Sequence, residues 1–246
     1  MNSNENINIK QMNLAQIIAY HLLPGVLILL LAIPLSNPNW GLGLPVLLAI
    51  IIAAVISLTL VPISVIALAA KRQELKFKDM IPYTQKTPIG KLLLYAVPCF
   101  LFGVLVFGVF SGFEYSFWND SFSFMPTWLR LDKYVMEDWG VGILRLTAIA
   151  NFIVVGLCGP FMEELYFRGF LLPRMDRLGK AAPLVNAALF SIYHLFSPWE
   201  LISRVFGCAP FAYAVWHKRD LRISIAVHCS MNMIGCVIML VTVFQM

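Results

Sequence analysis

The chain has 246 residues, of which 60% are apolar and 13% are charged, and its mean hydropathy is +0.79. This composition excludes an ordinary soluble domain and is typical of a protein whose helices cross a lipid bilayer. The formal charge of +5 comes from basic residues in short loops between apolar runs, without a basic patch interleaved with exposed aromatic residues. The charge therefore indicates membrane topology, and no nucleic-acid partner is predicted.

Seven apolar runs follow one another along the chain, and each predicts a membrane-spanning helix. The fifth run is short, whereas the fourth exceeds the roughly 20 residues that one crossing needs and contains Gly159–Pro160, where a kink is expected. The predicted fold is all-α, a polytopic bundle of about seven transmembrane helices, multi-pass in the cell membrane. The runs cover residues 14–35, 43–70, 91–112, 139–173, 181–197, 199–216 and 222–245.

The Lys and Arg residues between these runs fall almost entirely on one side when the loops are assigned to alternate sides of the membrane. Thirteen of the 18 belong to that side, whereas Arg130 and Lys133 belong to the other. By the positive-inside rule, the N-terminus is predicted to be cytoplasmic and the C-terminus external. The external segment 113–138, which is rich in acidic and aromatic residues, is expected to lie at the membrane interface.

Ionisable side chains within membrane spans cost roughly 2.5 to 3.5 kcal/mol each, so each one requires a partner or a function. The first three predicted spans are expected to contain almost none. The last four hold a concentration of ionisable groups, together with three asparagines. These residues are Arg145, Glu163, Glu164, Arg168, His194, Arg204 and His228, with Asn151, Asn186 and Asn232.

Two adjacent glutamates, Glu163 and Glu164, precede Arg168 in the fourth run. Adjacent helical residues point about 100° apart, so the two carboxylates cannot share one face. Glu164 and Arg168 are four residues apart, the spacing at which helical side chains meet, and are predicted to form a structural ion pair. Glu163 is then free to face a cavity. The alternative is that Glu163, Glu164 and Arg168 only pair with one another, as structural groups near the lipid headgroups.

Two histidines add to this set. His194 follows Phe190 by about one helical turn, and His228 precedes Asn232 by the same spacing, so each pair projects from one face. A single histidine on an apolar helix is usually a buried core residue, but here three helices offer polar groups to a common interior. At about 1.5 Å per residue, Glu163 and His194 lie about 17 to 21 Å from the cytoplasmic boundary and His228 only about 9 Å. Either the last helix begins deeper or the cytoplasmic side is funnelled.

A carboxylate, two imidazoles and a carboxamide in a water-accessible pocket suit hydrolysis. A carboxylate hydrogen-bonded to an imidazole can deprotonate water, while a second imidazole and an amide can stabilise an oxyanion. The same groups, Glu163, His194 and His228, could instead hold a Zn²⁺ ion whose bound water attacks. The sequence does not separate these mechanisms, although it contains no HExxH pattern that would favour zinc.

At these residues the chain resembles the CAAX prenyl protease type II and bacteriocin-processing family, also called the CPBP or abortive-infection family. Three motifs of that family occur in the same order, and the resemblance covers about residues 139–245, whereas the first three spans match no motif. The EExxxR motif matches Glu163, Glu164 and Arg168, the FxxxH motif matches Phe190 and His194, and the HxxxN motif matches His228 and Asn232.

The resemblance implies an intramembrane endopeptidase with a cytosol-facing cavity, acting on a membrane-associated protein or a peptide precursor, including lipidated ones. Family members are described both as metalloproteases and as metal-free glutamate proteases. Metal-free catalysis is favoured here, because one glutamate and two histidines without a further carboxylate to orient them make a weak zinc site. The implied roles are water activation by Glu163 and His194, oxyanion stabilisation by His228 and Asn232, and structural support by Glu164, Arg168 and Phe190.

The whole chain, residues 1–246, is predicted to be one membrane domain. Within it, residues 1–138 supply spans and the interfacial segment without motifs, and residues 139–246 form the catalytic helical core. Two other functions stay open. A non-catalytic membrane chaperone, immunity protein or regulatory protein would use the polar groups only structurally. A proton-coupled transporter would use Glu163 and His194 as a relay, but it predicts polar groups along the whole path, which the first three spans lack.

Overall fold

The computed structural model describes residues 9–131 and 136–246. Within these residues, seven main helices are joined by loops and short 3₁₀ turns, and no β-strand forms. The predicted all-α bundle is therefore confirmed for the described part of the chain. The helices are α1 (Leu14–Ser36), α2 (Val46–Gln73), α3 (Ile89–Ser121), α4 (Val141–Arg174), α5 (Ala182–Tyr193), α6 (Leu201–Lys218) and α7 (Arg222–Phe244).

Five of these helices, α1 to α4 and α7, are long and apolar enough to cross a membrane. The protein is therefore a multi-pass membrane protein, as its composition predicts. Helix α5 has only 12 residues and rises about 18 Å, which is less than the roughly 30 Å of a bilayer core. The prediction of a fifth spanning helix over 181–197 is wrong, because the helix ends at Tyr193 and an irregular loop follows.

Helix α4 is the long fourth run, and its irregularity takes the form of two widened stretches. Residues Asn151–Cys158 and Glu164–Leu171 are wound as π-helix on either side of Gly159–Glu163. Pro160 contributes to this, since it has no N–H to continue the regular ladder. Such π-helical turns are rare and often lie at functional sites. The irregularity expected at Gly159–Pro160 is thus spread over both neighbouring turns.

One end of the bundle, called the basic end, is formed by segments 9–13, 71–88, 174–181 and 218–222, which were all assigned to the cytoplasmic side. Backbone hydrogen bonds join these segments directly. The N–H of Met12 donates to the carbonyl of Arg174 at 3.1 Å, and the N–H of Gln85 donates to the carbonyl of Arg219 at 2.9 Å. The alternate assignment of loops is therefore consistent with the fold. Lys133, which was predicted on the other side, lies outside the described residues.

Residues 77–88, called the strap, cover the basic end between α2 and α3. Tyr83 of the strap is buried, and its carbonyl accepts a hydrogen bond from Leu221. Asp220 accepts hydrogen bonds from the N–H of Thr87 at 2.8 Å and from the guanidinium of Arg222. Burial opposes ionisation of Asp220, but the hydrogen bonds from Arg222 and Thr87 outweigh it and lower the pKa of this carboxyl to about 2.

Two ionisable groups are buried in α1 and α3, and the first of them, His21, lies in a span that was expected to contain almost none. His21 is fully buried, with its Nε2 2.9 Å from Asn186 Nδ2. Glu114 is also fully buried, and its carboxylate accepts hydrogen bonds from the N–H groups of Ile202 and Ser203 at the start of α6. Glu114 was expected in the interfacial segment, but α3 continues to Ser121 and carries it into the bundle.

Candidate active site

A cavity of about 760 Å³ lies among α2 to α7, and most of its walls are apolar. This volume is in the range of small-molecule and substrate pockets. All four residues that the sequence predicted as catalytic line it, namely Glu163, His194, His228 and Asn232. The fold therefore brings together polar groups that are spread over 70 residues of the chain.

Glu163 of α4 is the buried carboxylate of the cavity, as expected. Its Oε2 lies 3.6 Å from His228 Nε2, and its Oε1 lies 3.9 Å from His194 Nε2. The fully buried hydroxyl of Tyr193 donates a short hydrogen bond to Oε1. Sequence reasoning missed Tyr193, and the only signal for it was a polar side chain next to His194. One carboxylate thus faces two imidazoles while a tyrosine holds its position.

Helix α1 packs directly against Tyr193 and leaves no room for a side chain at the contact. A Cβ added to Gly25 would lie 1.8 Å from the carbonyl oxygen of Tyr193. Because backbone atoms cannot move aside cheaply, only glycine fits at this position. The position of the tyrosine therefore depends on a helix that carries no motif.

Both histidines turn Nε2 toward Glu163 because their Nδ1 atoms are committed elsewhere. His194 Nδ1 lies 2.8 Å from the carbonyl oxygen of Phe190, which can only accept, so Nδ1 carries the hydrogen. His228 Nδ1 lies 2.8 Å from Glu164 Oε1 and donates to that carboxylate in the same way. In the neutral form, each imidazole therefore presents the lone pair of Nε2 to the cavity.

The expected contact between Glu164 and Arg168 is present. Arg168 Nη1 donates to Glu164 Oε1 at 3.0 Å, and both side chains are fully buried. The Arg168 guanidinium also lies 4.0 Å from the ring centroid of Phe190, whose ring contacts His194 edge-on at 4.9 Å. Because Glu164 also accepts from His228, it orients a residue of the cavity as well as pairing with the arginine. The sequence had not indicated that link.

The depth mismatch of His228 disappears because α7 begins deeper than α4 ends. A Cβ added to Gly169 would lie 3.2 Å from Leu221 Cδ2, so these two residues are at one level. Gly169 precedes Arg174 by five residues, which is about 7 to 8 Å. From this level Glu163 is six residues away along α4, and His228 is seven residues away along α7. The deeper start accounts for their contact.

Asn232 lines the cavity and also completes the backbone of α4. The N–H of Gly159 donates to the carbonyl of Val154, five residues earlier, and Pro160 cannot make the next bond to Val155. Asn232 Nδ2 donates to the Val155 carbonyl at 2.9 Å instead. One amide hydrogen of Asn232 is therefore used by the backbone, and one is left for a ligand.

The other predicted polar residues have separate partners. Arg204 lines the cavity, donates to Ser197 Oγ at 2.9 Å and pairs with Glu200. Asn151 also lines it and donates to Cys236 Sγ at 3.4 Å. The remaining two are elsewhere: Asn186 bonds with His21 in the core, and the Arg145 guanidinium lies 5.3 Å from the ring centroid of Phe244.

The alternative of a bound Zn²⁺ ion finds no preformed set of ligands among the described residues. A tetrahedral site with bonds of about 2.0 to 2.1 Å places neighbouring ligand atoms about 3.3 to 3.4 Å apart. His228 Nε2 lies slightly farther than this from Glu163 Oε2, and His194 Nε2 lies clearly farther from Oε1, which also accepts the hydrogen bond from Tyr193. Among the described residues, no group of three or more His, Cys, Asp or Glu side chains has the geometry of a metal site.

Comparison with known proteins finds a similarity in the region that contains these residues. No curated protein and no solved structure matches the chain. The family model described as "Type II CAAX prenyl endopeptidase Rce1-like" matches residues 145–234. This range contains every motif residue of the candidate site. The resemblance noted in the sequence is therefore confirmed over this range: residues 145–234 of this membrane protein are similar to the Rce1-like, type II CAAX prenyl endopeptidase family.

Proposed function

We propose that this protein is an intramembrane endopeptidase that hydrolyses a peptide bond in a membrane-associated protein or peptide precursor. The observation that carries the proposal is the convergence of Glu163, His194 and His228 in one cavity. A carboxylate with an imidazole within 4 Å of each oxygen can move a proton from water to a leaving group. The match to an endopeptidase family supports this reaction over transport or a purely structural role.

Glu163 acts as the general base in this mechanism. Its carboxylate takes a proton from a water molecule, and the oxygen of that water forms a bond to the carbonyl carbon of the substrate. His194 lies beside Glu163 with Nε2 unprotonated, so it accepts a hydrogen bond from the same water and orients it. Tyr193 is a positioning residue, since its hydroxyl bonds Oε1 and leaves Oε2 open to the cavity.

The attack moves the carbonyl electron pair onto the substrate oxygen, which needs hydrogen-bond donors. His228 can donate from Nε2 only as an imidazolium, because its Nδ1–H is committed to Glu164. The Glu164 carboxylate, which accepts the Nδ1 hydrogen, and the negative charge on the substrate oxygen stabilise that imidazolium. The second amide hydrogen of Asn232 is the other donor. When the C–N bond breaks, the proton held by Glu163 passes to the leaving nitrogen.

The predicted orientation is part of the proposal. The basic end holds 12 of the 18 Lys and Arg residues, which supports a cytoplasmic location for it by the positive-inside rule. Helix α1 begins at this end and α7 terminates at the other, so the N-terminus is cytoplasmic and the C-terminus external. Helices α5 and α6 together begin and end at the basic end. The orientation of α7 is therefore the same whether or not these two helices are counted as membrane crossings.

Comparison of membrane peptides tests the function. Membranes containing the intact protein should yield cleavage products that are lost with Glu163→Gln, His194→Ala or His228→Ala. Matched controls are Glu74→Gln and His217→Ala, because both residues are exposed and far from the cavity. Unchanged product peptides from folded Glu163→Gln protein would contradict the proposal. Restoration of lost cleavage by Zn²⁺ after chelation would contradict the metal-free mechanism alone.

A further inference from the structure

One side chain with a permanent positive charge lines the cavity, namely Arg204 in the first turn of α6. Among the described residues that line the cavity, no other Lys or Arg occurs. The side chain of Arg204 is only 8% exposed. A guanidinium stays ionised in proteins, and burial of a charge is costly unless the charge is paired. The hydrolysis proposed above does not use Arg204, so its charge serves either the structure or the substrate.

The partner of Arg204 differs from the partners of the other buried arginines. Arg168 is paired with Glu164, which is fully buried, and Arg174 donates to two backbone carbonyls. Neither of these arginines lines the cavity. Arg204 is paired with Glu200, which has 43% of its side chain exposed. An ion pair with so exposed a carboxylate contributes little to stability, so another carboxylate can replace Glu200 at low cost.

Ser197 holds the guanidinium of Arg204 at the wall of the cavity. Nη2 donates to Ser197 Oγ at 2.9 Å, and Nη1 donates to the carbonyl of Ser197 at 3.4 Å. Ser197 is itself buried, and its N–H donates to the carbonyl of His194 at 2.9 Å. The charge of Arg204 also acts on the side chains of His194 and Tyr193. The guanidinium is therefore fixed close to the reactive groups.

The hydrogen-bonding capacity of Arg204 exceeds what the protein uses. A guanidinium has five N–H donors, and the contacts to Ser197 and Glu200 use three of them. The remaining two, on Nε and Nη1, have no acceptor among the described residues. The planar arrangement of these donors matches the two oxygens of a carboxylate. Arg204 thus has the donors and the charge of a carboxylate site.

We propose that Arg204 binds a carboxylate of the substrate, close to the peptide bond that is cleaved, and that this carboxylate displaces Glu200. This inference rests on the proposed function and names a chemical group that the substrate carries. The group is either a free C-terminus or the side chain of an aspartate or glutamate. Most walls of the cavity are apolar, so water screens the pair with Arg204 only weakly.

Binding of short peptides to the Glu163→Gln protein tests the carboxylate site without any cleavage. Three probes are compared by calorimetry in detergent: acetyl-tetraleucine with a free C-terminal carboxylate, the same peptide as its C-terminal amide, and acetyl-Leu-Leu-Glu-Leu amide. We expect one carboxylate probe to bind about tenfold or more tightly than the neutral amide, as for a hydrogen bond between charged groups. The probe that does so identifies the source of the carboxylate.

Substitutions in the same background separate recognition from a structural role. Arg204→Gln should reduce the affinity for the carboxylate probe to that for the neutral amide, and Arg204→Lys should restore part of it. Glu200→Gln should raise the affinity for the carboxylate probe about twofold to fivefold, because the competing carboxylate is removed. The affinity for the neutral amide should not change. Arg177→Gln, on the exposed surface of the basic end, is the matched control.

Equal affinities for all three probes, or no binding of any probe, would overturn the proposal. An equal loss of all three affinities in Arg204→Gln, without any gain in Glu200→Gln, would assign the ion pair to structure alone. If Arg204→Gln fails to fold, Glu200→Gln on the exposed loop still decides between these roles. Peptide cleavage is measured separately. Cleavage that depends on Glu163, together with unselective binding, would keep the proposed function and remove the carboxylate site. Selective binding by a protein that cleaves nothing would do the reverse.

Discussion

The two halves of the molecule bury ionisable groups in different ways. In α1 to α3, the carboxylate of Glu114 accepts hydrogen bonds from backbone N–H groups at the start of α6 and from the hydroxyl of Ser203. In α4 to α7, Glu163 accepts one hydrogen bond from Tyr193 and otherwise faces two imidazoles and the cavity. Burial of a carboxylate therefore does not identify a reactive site. The difference is whether its lone pairs are already used by the backbone.

The halves are nevertheless coupled by close packing. Gly25 of α1 contacts the carbonyl of Tyr193, and the hydroxyl of Tyr166 in α4 donates to the carbonyl of Tyr20 at 2.9 Å. That carbonyl needs a donor because Pro24, four residues later, has no N–H. The motif-free helices thus hold the reactive half in place.

The largest expected effect separates the two buried glutamates. Glu163→Gln should lower cleavage about 10³-fold or more with little change in thermal stability, because the general base is lost. Glu114→Gln should do the opposite, lowering thermal stability and leaving the activity of each folded molecule unchanged. Cleavage rates and melting curves of detergent-purified protein check both. Equal effects of the two substitutions on cleavage would contradict the division.

The second effect concerns the ion pair of the reactive half. Arg168→Met leaves the buried Glu164 carboxylate without its arginine, with only the hydrogen bond from His228, and we expect a loss of about 3 to 5 kcal/mol in the free energy of unfolding. Adding Glu164→Gln should recover part of it, since the uncompensated charge is removed. Denaturation of the single and double variants measures this. A single variant as stable as the native protein would show that the pair is not needed.

The contact between the halves is tested at Gly25. Gly25→Ala places a methyl group against the carbonyl of Tyr193, so the tyrosine and Glu163 must shift. We expect cleavage to fall about tenfold to a hundredfold, as for small displacements of a catalytic group. Gly108→Ala in α3 is the control, because an added Cβ there meets nothing within 4 Å. Similar cleavage by both variants would mean that α1 does not position the site.

A milder change removes only the hydroxyl of Tyr193. Tyr193→Phe takes away a hydrogen bond to a charged group, worth about 1.5 to 3 kcal/mol, while keeping the ring. We expect kcat to fall about tenfold with KM nearly unchanged, since Glu163 loses its orientation but the cavity keeps its shape. Steady-state kinetics on a cleaved peptide check this. A rise in KM with unchanged kcat would instead assign the tyrosine to substrate binding.

The smallest effect lies outside the membrane, at Asp220. Its pKa of about 2 lies below the value near 3.9 that an unfolded aspartate has. The folded state therefore gains stability from the ionised form above about pH 4, and this gain is lost as the pH falls toward 2. Asp220→Asn should lower the melting temperature at neutral pH by a few degrees, and the difference should vanish in acid. A difference that does not change with pH would exclude the carboxylate as its source.

Several features of this protein were determined by the sequence alone because they depend on local spacing. The apolar runs predicted a helical membrane protein, and the four-residue spacing of Glu164 and Arg168 predicted their contact, which the structure contains. Helical geometry also separated Glu163 from Glu164. These properties need no knowledge of how the helices pack.

Other features were decided only by the tertiary structure. The contact between Glu163 and His228 depends on the deeper start of α7, which follows from the packing of Leu221 on Gly169. Tyr193 reaches Glu163, and Glu164 reaches His228, across helices that no spacing rule relates. Contacts between distant segments form only when helices assemble, so the sequence could name the reactive residues but not their shared surroundings.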